Sequence, residues 1–209
     1  MNLFGGSINY EHIDQPSNEI DEILDSLNDL VKAGKIRYIG LSNETPWGTM
    51  KFLHHSNISS VPRVQSIQNA YNLLNRTFEI GGSEIAHRED VGLLAYSPLA
   101  QGYLTGKYQN GKLPKGSRKE LFNRLQRYEG PYAEEAIEDY LSIAKKYNID
   151  PSQLANQFVT TRPFVTSNII GATNMKQLKL AVTSIEIDLT KEIEDEIEKA
   201  FQKHGNVAS

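Results

Sequence analysis

Four short apolar runs in this chain each end in small or polar residues, and helical patterns separate them. The runs are IRYIGLSN, VQSIQN, GLLAYSPL and NIIGAT. Strands that are buried on both faces have such continuous apolar sequences, and strands that alternate with helices pair in parallel. The pattern predicts an α/β fold of the β/α-barrel type, in which functional side chains follow the carboxyl ends of the strands.

The number of repeating units limits how much of a barrel the chain can build. We count four clear β/α units in 209 residues, whereas a closed barrel needs eight units and about 250 residues. The sequence therefore predicts one domain, 1–209, that is an incomplete barrel corresponding to its C-terminal half. Its predicted strands are 36–41, 64–67, 92–96 and 167–170, and its predicted helices are 18–33, 45 onward, 77–88, 132–147, 151–162, 174–184 and 191–204.

Two segments lack a helical or strand period. Residues 1–17 are predicted to be irregular, because Gly5, Gly6 and Pro16 interrupt any pattern. Residues 99–130 contain many glycines, but their aromatic and leucine residues favour an ordered loop. A loop of this length in a compact domain usually has a function.

Composition excludes several classes of function. The chain has no cysteine, so it has no disulfides, cysteine-based metal centres or thiol nucleophile. The net charge is -4 without a basic stripe, which argues against a nucleic-acid partner. A mean hydropathy of -0.47, the lack of a long apolar stretch and the absence of a signal-peptide pattern predict a cytoplasmic protein without a membrane span.

Polar residues at the ends of the first two runs form a candidate amide-binding group. Gln68 offers two donors and an acceptor, and Ser42 and Asn43 end the preceding strand. Such groups can pair with another amide. Alternatively, Gln68 bonds to backbone groups at a strand end, and Asn43 caps the following helix.

The third run continues into a second candidate group. Tyr96 ends the strand and can stack on a flat heterocycle or be a core tyrosine. The small residues of SPLAQGYLTGKY allow backbone amides to approach a pyrophosphate. Lys107 and Arg118 add positive charge, and an arginine fork suits a phosphate monoester. Either cation can instead be a solvated surface charge.

The fourth run leads into a helix through GATNMKQL. Thr173 or Asn174 can cap this helix, whose N-terminus can present N–H groups to an anion, and Gln177 lies on its first turn. A simple capped helix is the alternative.

The order and spacing of these four motifs strongly resemble the aldo-keto reductase superfamily, especially the branch with potassium-channel β subunits and their bacterial and plant relatives. The resemblance covers about residue 18 to the C-terminus. It implies a (β/α)8 barrel that binds NADP(H) across the strand ends, with residues 99–130 as a loop that covers the cofactor.

The resemblance also assigns roles to residues. Ser42, Asn43 and Gln68 would hold the nicotinamide carboxamide, and Tyr96 would stack on the nicotinamide ring. Arg118 would meet the 2′-phosphate. The residues that would line the pyrophosphate are Ser97, Pro98, Leu99, Gly102 and Leu104, with Lys107 nearby. Those that would close on the adenosine end are Gly171, Thr173 and Gln177.

The family's catalytic residues have no counterpart in these motifs. Family members use Asp, Tyr, Lys and a strand-ending His, with the Tyr as proton donor. None of the histidines of this chain ends an apolar run; they are His12, His54, His55, His87 and His204. We therefore expect that the chain begins just after the fourth barrel strand and has no catalytic residue of its own.

Two functions remain open at this point. The chain is the C-terminal, cofactor-binding portion of an NADPH-dependent reductase of aldehyde or ketone carbonyls, inactive until the N-terminal half is supplied. Alternatively, it is a non-catalytic nucleotide-binding or regulatory module of the β-subunit type. In both cases open barrel edges would favour self-association.

Overall fold

The computed structural model describes residues 20–122 and 126–208, so the predicted irregular segment 1–17 lies outside the described residues. Its strands are β1 (Ile39–Ser42), β2 (Val64–Ala70), β3 (Gly92–Tyr96) and β4 (Val165–Ile169). They form one sheet in the order β1-β2-β3-β4. The β1 and β2 strands are parallel, with Ser42 beside Gln68. This open sheet confirms the prediction of an α/β fold that is a partial barrel.

Helices follow or precede each strand in the alternating order that the sequence predicts. They are α1 (Ile20–Lys32), α2 (Pro46–Ile58), α3 (Gly82–Glu89), α4 (Arg118–Phe122), α5 (Ala133–Lys146), α6 (Pro151–Thr160), α7 (Met175–Val182) and α8 (Lys191–His204). Among the described residues, no helix combines the length and the apolar character that crossing a bilayer requires.

The described residues divide into two compact units. The first contains the described residues up to Asn69 together with Phe78–Leu94. Its core includes Leu24 of α1, Leu53 of α2 and Val64 of β2, all of which are buried. The α2 helix begins as predicted, because Thr45 Oγ1 accepts a hydrogen bond from the Gly48 N–H at 3.0 Å and Pro46 occupies the first turn.

The second unit contains Ala70–Thr77 and the described residues from Ala95 onward. Its core is apolar, with Ile137 of α5, Phe158 of α6 and Ile197 of α8 each 1% exposed. Arg76 is also buried there. Its guanidinium lies 2.9 Å from Glu198 Oε2 and 4.0 Å from the centre of the Phe201 ring. The positive charge is therefore paired with a carboxylate, and the aliphatic part of the side chain is buried.

Several predicted boundaries are wrong. The helix predicted at 77–88 is a 3-10 turn, Thr77–Glu79, followed by α3, because Gly81 adopts a φ of 86° and interrupts the helix. The predicted strand 36–41 forms only over Ile39–Ser42, and the predicted helix 174–184 ends at Val182. The alternative role of Asn43 as a helix cap is also wrong, because Thr45 caps α2.

Candidate functional site

The polar residues at the ends of β1 and β2 lie together in the first unit. The Asn43 N–H donates to the Gln68 carbonyl at 2.9 Å, and Asn43 Nδ2 donates to Ser42 Oγ at 3.2 Å. Asn43 leaves the strand with a φ of 52°, a left-handed conformation that asparagine tolerates. The structure therefore brings the three predicted amide-binding residues to one place.

The Gln68 side chain is exposed at this strand end. Among the described residues it makes no hydrogen bond, so the alternative in which its carboxamide bonds to the backbone is not what the structure shows. Asn69, which the sequence analysis did not single out, donates from Nδ2 to the Glu44 carbonyl at 3.2 Å. Its Oδ1 is buried without a partner, and a buried acceptor of this kind fits a site that a bound donor completes.

The loop after β3 forms the second group, which lies in the second unit. Three of its non-glycine residues have positive φ: Ser97 at 59°, Ala100 at 48° and Gln101 at 56°. Such conformations cost free energy and cluster at ligand-binding segments. The Ala100 N–H donates to the Ser97 carbonyl and the Gly102 N–H to the Leu99 carbonyl, both at 2.8 Å, which closes the loop into two successive tight turns.

Gly102 allows a cation to approach this loop. A Cβ at this position would lie 2.8 Å from Lys107 Nζ, so the ammonium group lies against the Gly102 backbone, and the φ of 102° at this position favours glycine. Lys107 is half-buried, and its Nζ lies 5.0 Å from the centre of the Tyr108 ring. Pro98 and Leu104 are buried, so their side chains support the loop and are not available to a ligand.

Asn72 anchors the loop, although the sequence analysis did not single it out. It is 0% exposed. Its Nδ2 donates to the Ser97 carbonyl at 3.0 Å and to the Tyr128 hydroxyl at 3.1 Å. Its Oδ1 accepts from the Leu74 N–H and the Asn75 N–H. Because all its hydrogen-bonding groups are used, Asn72 holds the first residue of the loop in place.

Tyr96 is half-buried at the end of β3. Its hydroxyl accepts a long hydrogen bond of 3.5 Å from Arg127 Nη1, and this bond raises the pKa of Arg127. Burial raises the pKa of the adjacent Tyr128 hydroxyl. Neither Arg127 nor Tyr128 was predicted, because they are more than thirty positions from β3 and carry no motif.

The remainder of the long loop is organised by aromatic rings. The Tyr103 ring lies 4.8 Å from Tyr108 and 6.0 Å from Tyr128, measured between centroids. Lys119 Nζ is 2.6 Å from Glu129 Oε1, and this contact lowers the pKa of Glu129. These contacts pack the described part of residues 99–130 around the three rings. Arg118, by contrast, is exposed at the start of the short helix α4.

The segment after β4 forms a capped helix start. Asn174 Oδ1 accepts from the Gln177 N–H at 3.0 Å, so of the two predicted caps Asn174 is the one used. Gln177 Oε1 accepts from the Thr173 N–H at 2.8 Å and from Thr173 Oγ1 at 2.9 Å. This arrangement differs from a capping box in that Gln177 bonds Thr173, the residue before the N-cap Asn174, and not the N-cap N–H. Gly171 is exposed and has open space around its Cα.

These groups can be compared with known proteins. The family model described as aldo/keto reductase family matches residues 7–202. Protein tas of Escherichia coli is 45% identical over 198 residues, which cover 94% of this chain and 57% of that protein. An aldo-keto reductase of Babesia bovis is 42% identical over 80% of this chain and 61% of its own length.

A more distant relative is described as a putative voltage-gated potassium channel subunit beta. This protein of Schizosaccharomyces pombe is 31% identical over 90% of the chain and 57% of its own length. The chain thus spans about three fifths of the length of the curated relatives it matches. The motifs, the open parallel sheet and these matches agree, and the chain belongs to the aldo/keto reductase family.

Proposed function

We propose that this chain binds NADP(H) as the cofactor-binding part of an aldo/keto reductase that reduces aldehydes or ketones. Members of the family generally use a nicotinamide dinucleotide. The observation that carries the proposal is the loop after β3, with its left-handed residues and with Lys107 held over Gly102. A backbone of this form presents amides to a pyrophosphate, and the lysine adds the opposite charge.

Each unit, taken by itself, offers groups that suit part of the cofactor. In the first, Ser42, Asn43 and Gln68 offer the amide partners that a nicotinamide carboxamide needs, and Asn69 Oδ1 is a buried acceptor without a donor. In the second, Gln101 Oε1 of the loop after β3 is likewise buried without a partner. We assign the ring of Tyr96 to stacking on the nicotinamide.

The other predicted residues would hold the rest of the dinucleotide. Arg118 would bind the 2′-phosphate through its fork. Bound cofactor would supply hydride, while the residues of this chain bind and orient it. The backbone of the loop after β3 and the residues after β4 would surround the pyrophosphate and adenosine; they are Ser97, Pro98, Leu99, Gly102 and Leu104, followed by Gly171, Thr173 and Gln177.

Titration of the chain with NADPH, followed by nucleotide fluorescence, tests the binding. We expect Lys107→Met to weaken binding by about tenfold, the effect of one charge-assisted hydrogen bond. Lys112→Met is the matched control, because Lys112 is an exposed lysine of the same loop. Arg118→Met should weaken NADPH binding while leaving NADH unchanged. No fluorescence change at millimolar NADPH would rule the proposal out.

Catalysis is a separate part of the proposal. The family's proton donor and strand-ending histidine have no match in this sequence, so we expect no turnover of 4-nitrobenzaldehyde with NADPH by these 209 residues. Measurable reduction, in a preparation free of other reductases, would contradict this expectation.

A regulatory function is the second candidate, and the similarity to the potassium-channel-subunit relative favours it. The DNA upstream of the codon for Met1 separates the two. An open frame there with an Asp-xxxx-Tyr run, a lysine and a strand-ending histidine would support the reductase, and a frame without them would support the regulatory module.

A further inference from the structure

Arg127 occupies an unusual position in the second unit. It lies in the 3-10 turn Gln126–Tyr128, and its guanidinium contacts the Tyr96 hydroxyl at 3.5 Å. The neighbouring Tyr128 hydroxyl is fixed from the other side by Asn72. The guanidinium of Arg127 is thus directed at the end of β3, where it contacts the hydroxyl groups of Tyr96 and Tyr128.

Four other arginines of the chain pair with carboxylates, whereas Arg37 and Arg118, like Arg127, have no such pair among the described residues. The four pairs are Arg63 with Glu89, Arg76 with Glu198, Arg88 with Glu84, and Arg162 with Glu194. Arg127 has no ion pair within the part of the chain that the structure describes. A guanidinium carries five N–H donors, so its long bond to Tyr96 and its interaction with the Tyr128 hydroxyl leave several donors unused.

The guanidinium of Arg127 is positively charged at neutral pH. Its hydrogen bond to Tyr96 raises its pKa, and the nearby hydroxyl of Tyr128 acts in the same direction. A charged guanidinium without a carboxylate partner is complementary to a planar or tetrahedral group of anionic oxygens, which its fork can bind with two parallel hydrogen bonds.

We propose that Arg127 binds an anionic oxygen group, a phosphate or a carboxylate, next to the hydroxyl of Tyr96. The inference rests on the proposed function in one respect, namely that Tyr96 faces a bound nicotinamide dinucleotide. The anionic group then comes from one of two sources, the carbonyl substrate or the pyrophosphate of the cofactor. In the first case the substrates are carbonyl compounds that carry a phosphate or a carboxylate.

Inorganic phosphate is the probe for this site. Its affinity is measured by calorimetric titration of the whole chain, of Arg127→Gln and of Arg127→Lys. We expect Arg127→Gln to weaken phosphate binding at least tenfold, and Arg127→Lys to weaken it less because it keeps the charge without the fork. Arg88→Gln is the matched control, because Arg88 is an exposed arginine on a helix of the first unit.

A second titration, with NADPH at saturation, identifies the source of the anion. Phosphate that still binds beside NADPH assigns the site to the substrate. Phosphate that NADPH displaces, together with weaker NADPH binding by Arg127→Gln, assigns it to the pyrophosphate. Arg127 is exposed, so thermal unfolding of the variants should match the unsubstituted chain and show that a loss of binding is local.

Two results would overturn the inference. One is an Arg127→Gln variant that binds phosphate as the unsubstituted chain does, and the other is an unsubstituted chain that binds no phosphate. If phosphate binds through Arg127 but NADPH binds to no form of the chain, the proposed function fails and the anion site stands.

Discussion

At the scale of single residues, two buried asparagines of the second unit differ in how well their amides are satisfied. Asn72 is 0% exposed and its amide makes four hydrogen bonds. Asn156 of α6 is 1% exposed, and both its Nδ2 and its Oδ1 are buried without a partner. Asn72 stabilises the loop after β3. The amide of Asn156 loses its hydration on burial and gains no hydrogen bond in return.

Replacing Asn156 by leucine should therefore stabilise the chain. The substitution keeps the same branched skeleton of heavy atoms and removes two unsatisfied polar atoms, each of which costs about 1 kcal/mol or more when buried. We expect the free energy of unfolding to rise by about 1–2 kcal/mol and the Tm by roughly 2–8 °C. Urea and thermal unfolding followed by circular dichroism measure both quantities.

The same substitution at Asn72 provides the matched comparison. Asn72→Leu removes four hydrogen bonds. The Ser97 carbonyl keeps the Ala100 N–H and the Asn75 N–H keeps the Asn72 carbonyl, but the Leu74 N–H loses its partner, so the substitution should cost about 2 kcal/mol or more. If the two variants lose stability equally, satisfaction of the amide does not decide the outcome and this interpretation of Asn156 is wrong.

At the scale of elements, the bounds of a helix or strand were predicted best where the local sequence marks both of its ends. The strand Gly92–Tyr96 and the helix Lys191–His204 match the prediction at both ends, because a turn or a change of period marks each boundary. The β1 strand starts three residues later than predicted, since pairing depends on where β2 offers a partner and not on the apolar run alone.

Burial was harder to predict than helicity. The apolar residues of α1 recur with a helical period, a pattern that favours burial, yet only Leu24 is buried and Leu30 is 38% exposed. At the candidate site, the motif residues followed from the family resemblance. The supporting contacts of Asn72 and Arg127 join positions 25 to 56 residues apart, and no local pattern reports such contacts.

Helices α5 and α8 are joined by ion pairs that should make stability depend on pH. Asp139 Oδ2 lies 2.8 Å from Lys203 Nζ and 2.7 Å from His204 Nε2. The hydrogen bond from Lys203, followed by that from His204, lowers the pKa of Asp139. The stabilising effect is therefore complete above the unfolded-state pKa of about 3.9 and disappears as the pH falls through the lower folded-state value.

We expect Asp139→Asn to reduce the stability at neutral pH by about 1 kcal/mol or less, because the carboxylate is partly exposed to solvent. The difference from the unsubstituted chain should shrink towards zero in acid. Urea unfolding across the acidic range measures it. Asp195→Asn, which alters the exposed pair with Lys191 within α8, is the control. A difference that persists unchanged in strong acid would contradict the role of the Asp139 carboxylate.

At the scale of the whole molecule, the sheet has two end strands. Because the order is β1-β2-β3-β4, β1 and β4 each have one strand neighbour among the described residues. Ile169 of β4 and the adjacent Ile170 are both 37% exposed. An end strand with exposed apolar side chains and unpaired backbone groups is prone to pair with another strand.

We expect the chain alone to self-associate through β4, and sedimentation velocity over a wide range of concentrations measures the association. Ile169→Lys should shift the population towards monomer, because a lysine on an end strand opposes strand addition and removes exposed apolar surface. Ile58→Lys is the matched control, since Ile58 ends α2 and is 67% exposed. A chain that stays monomeric at every concentration, or two variants that act alike, would show that the β4 edge does not drive association.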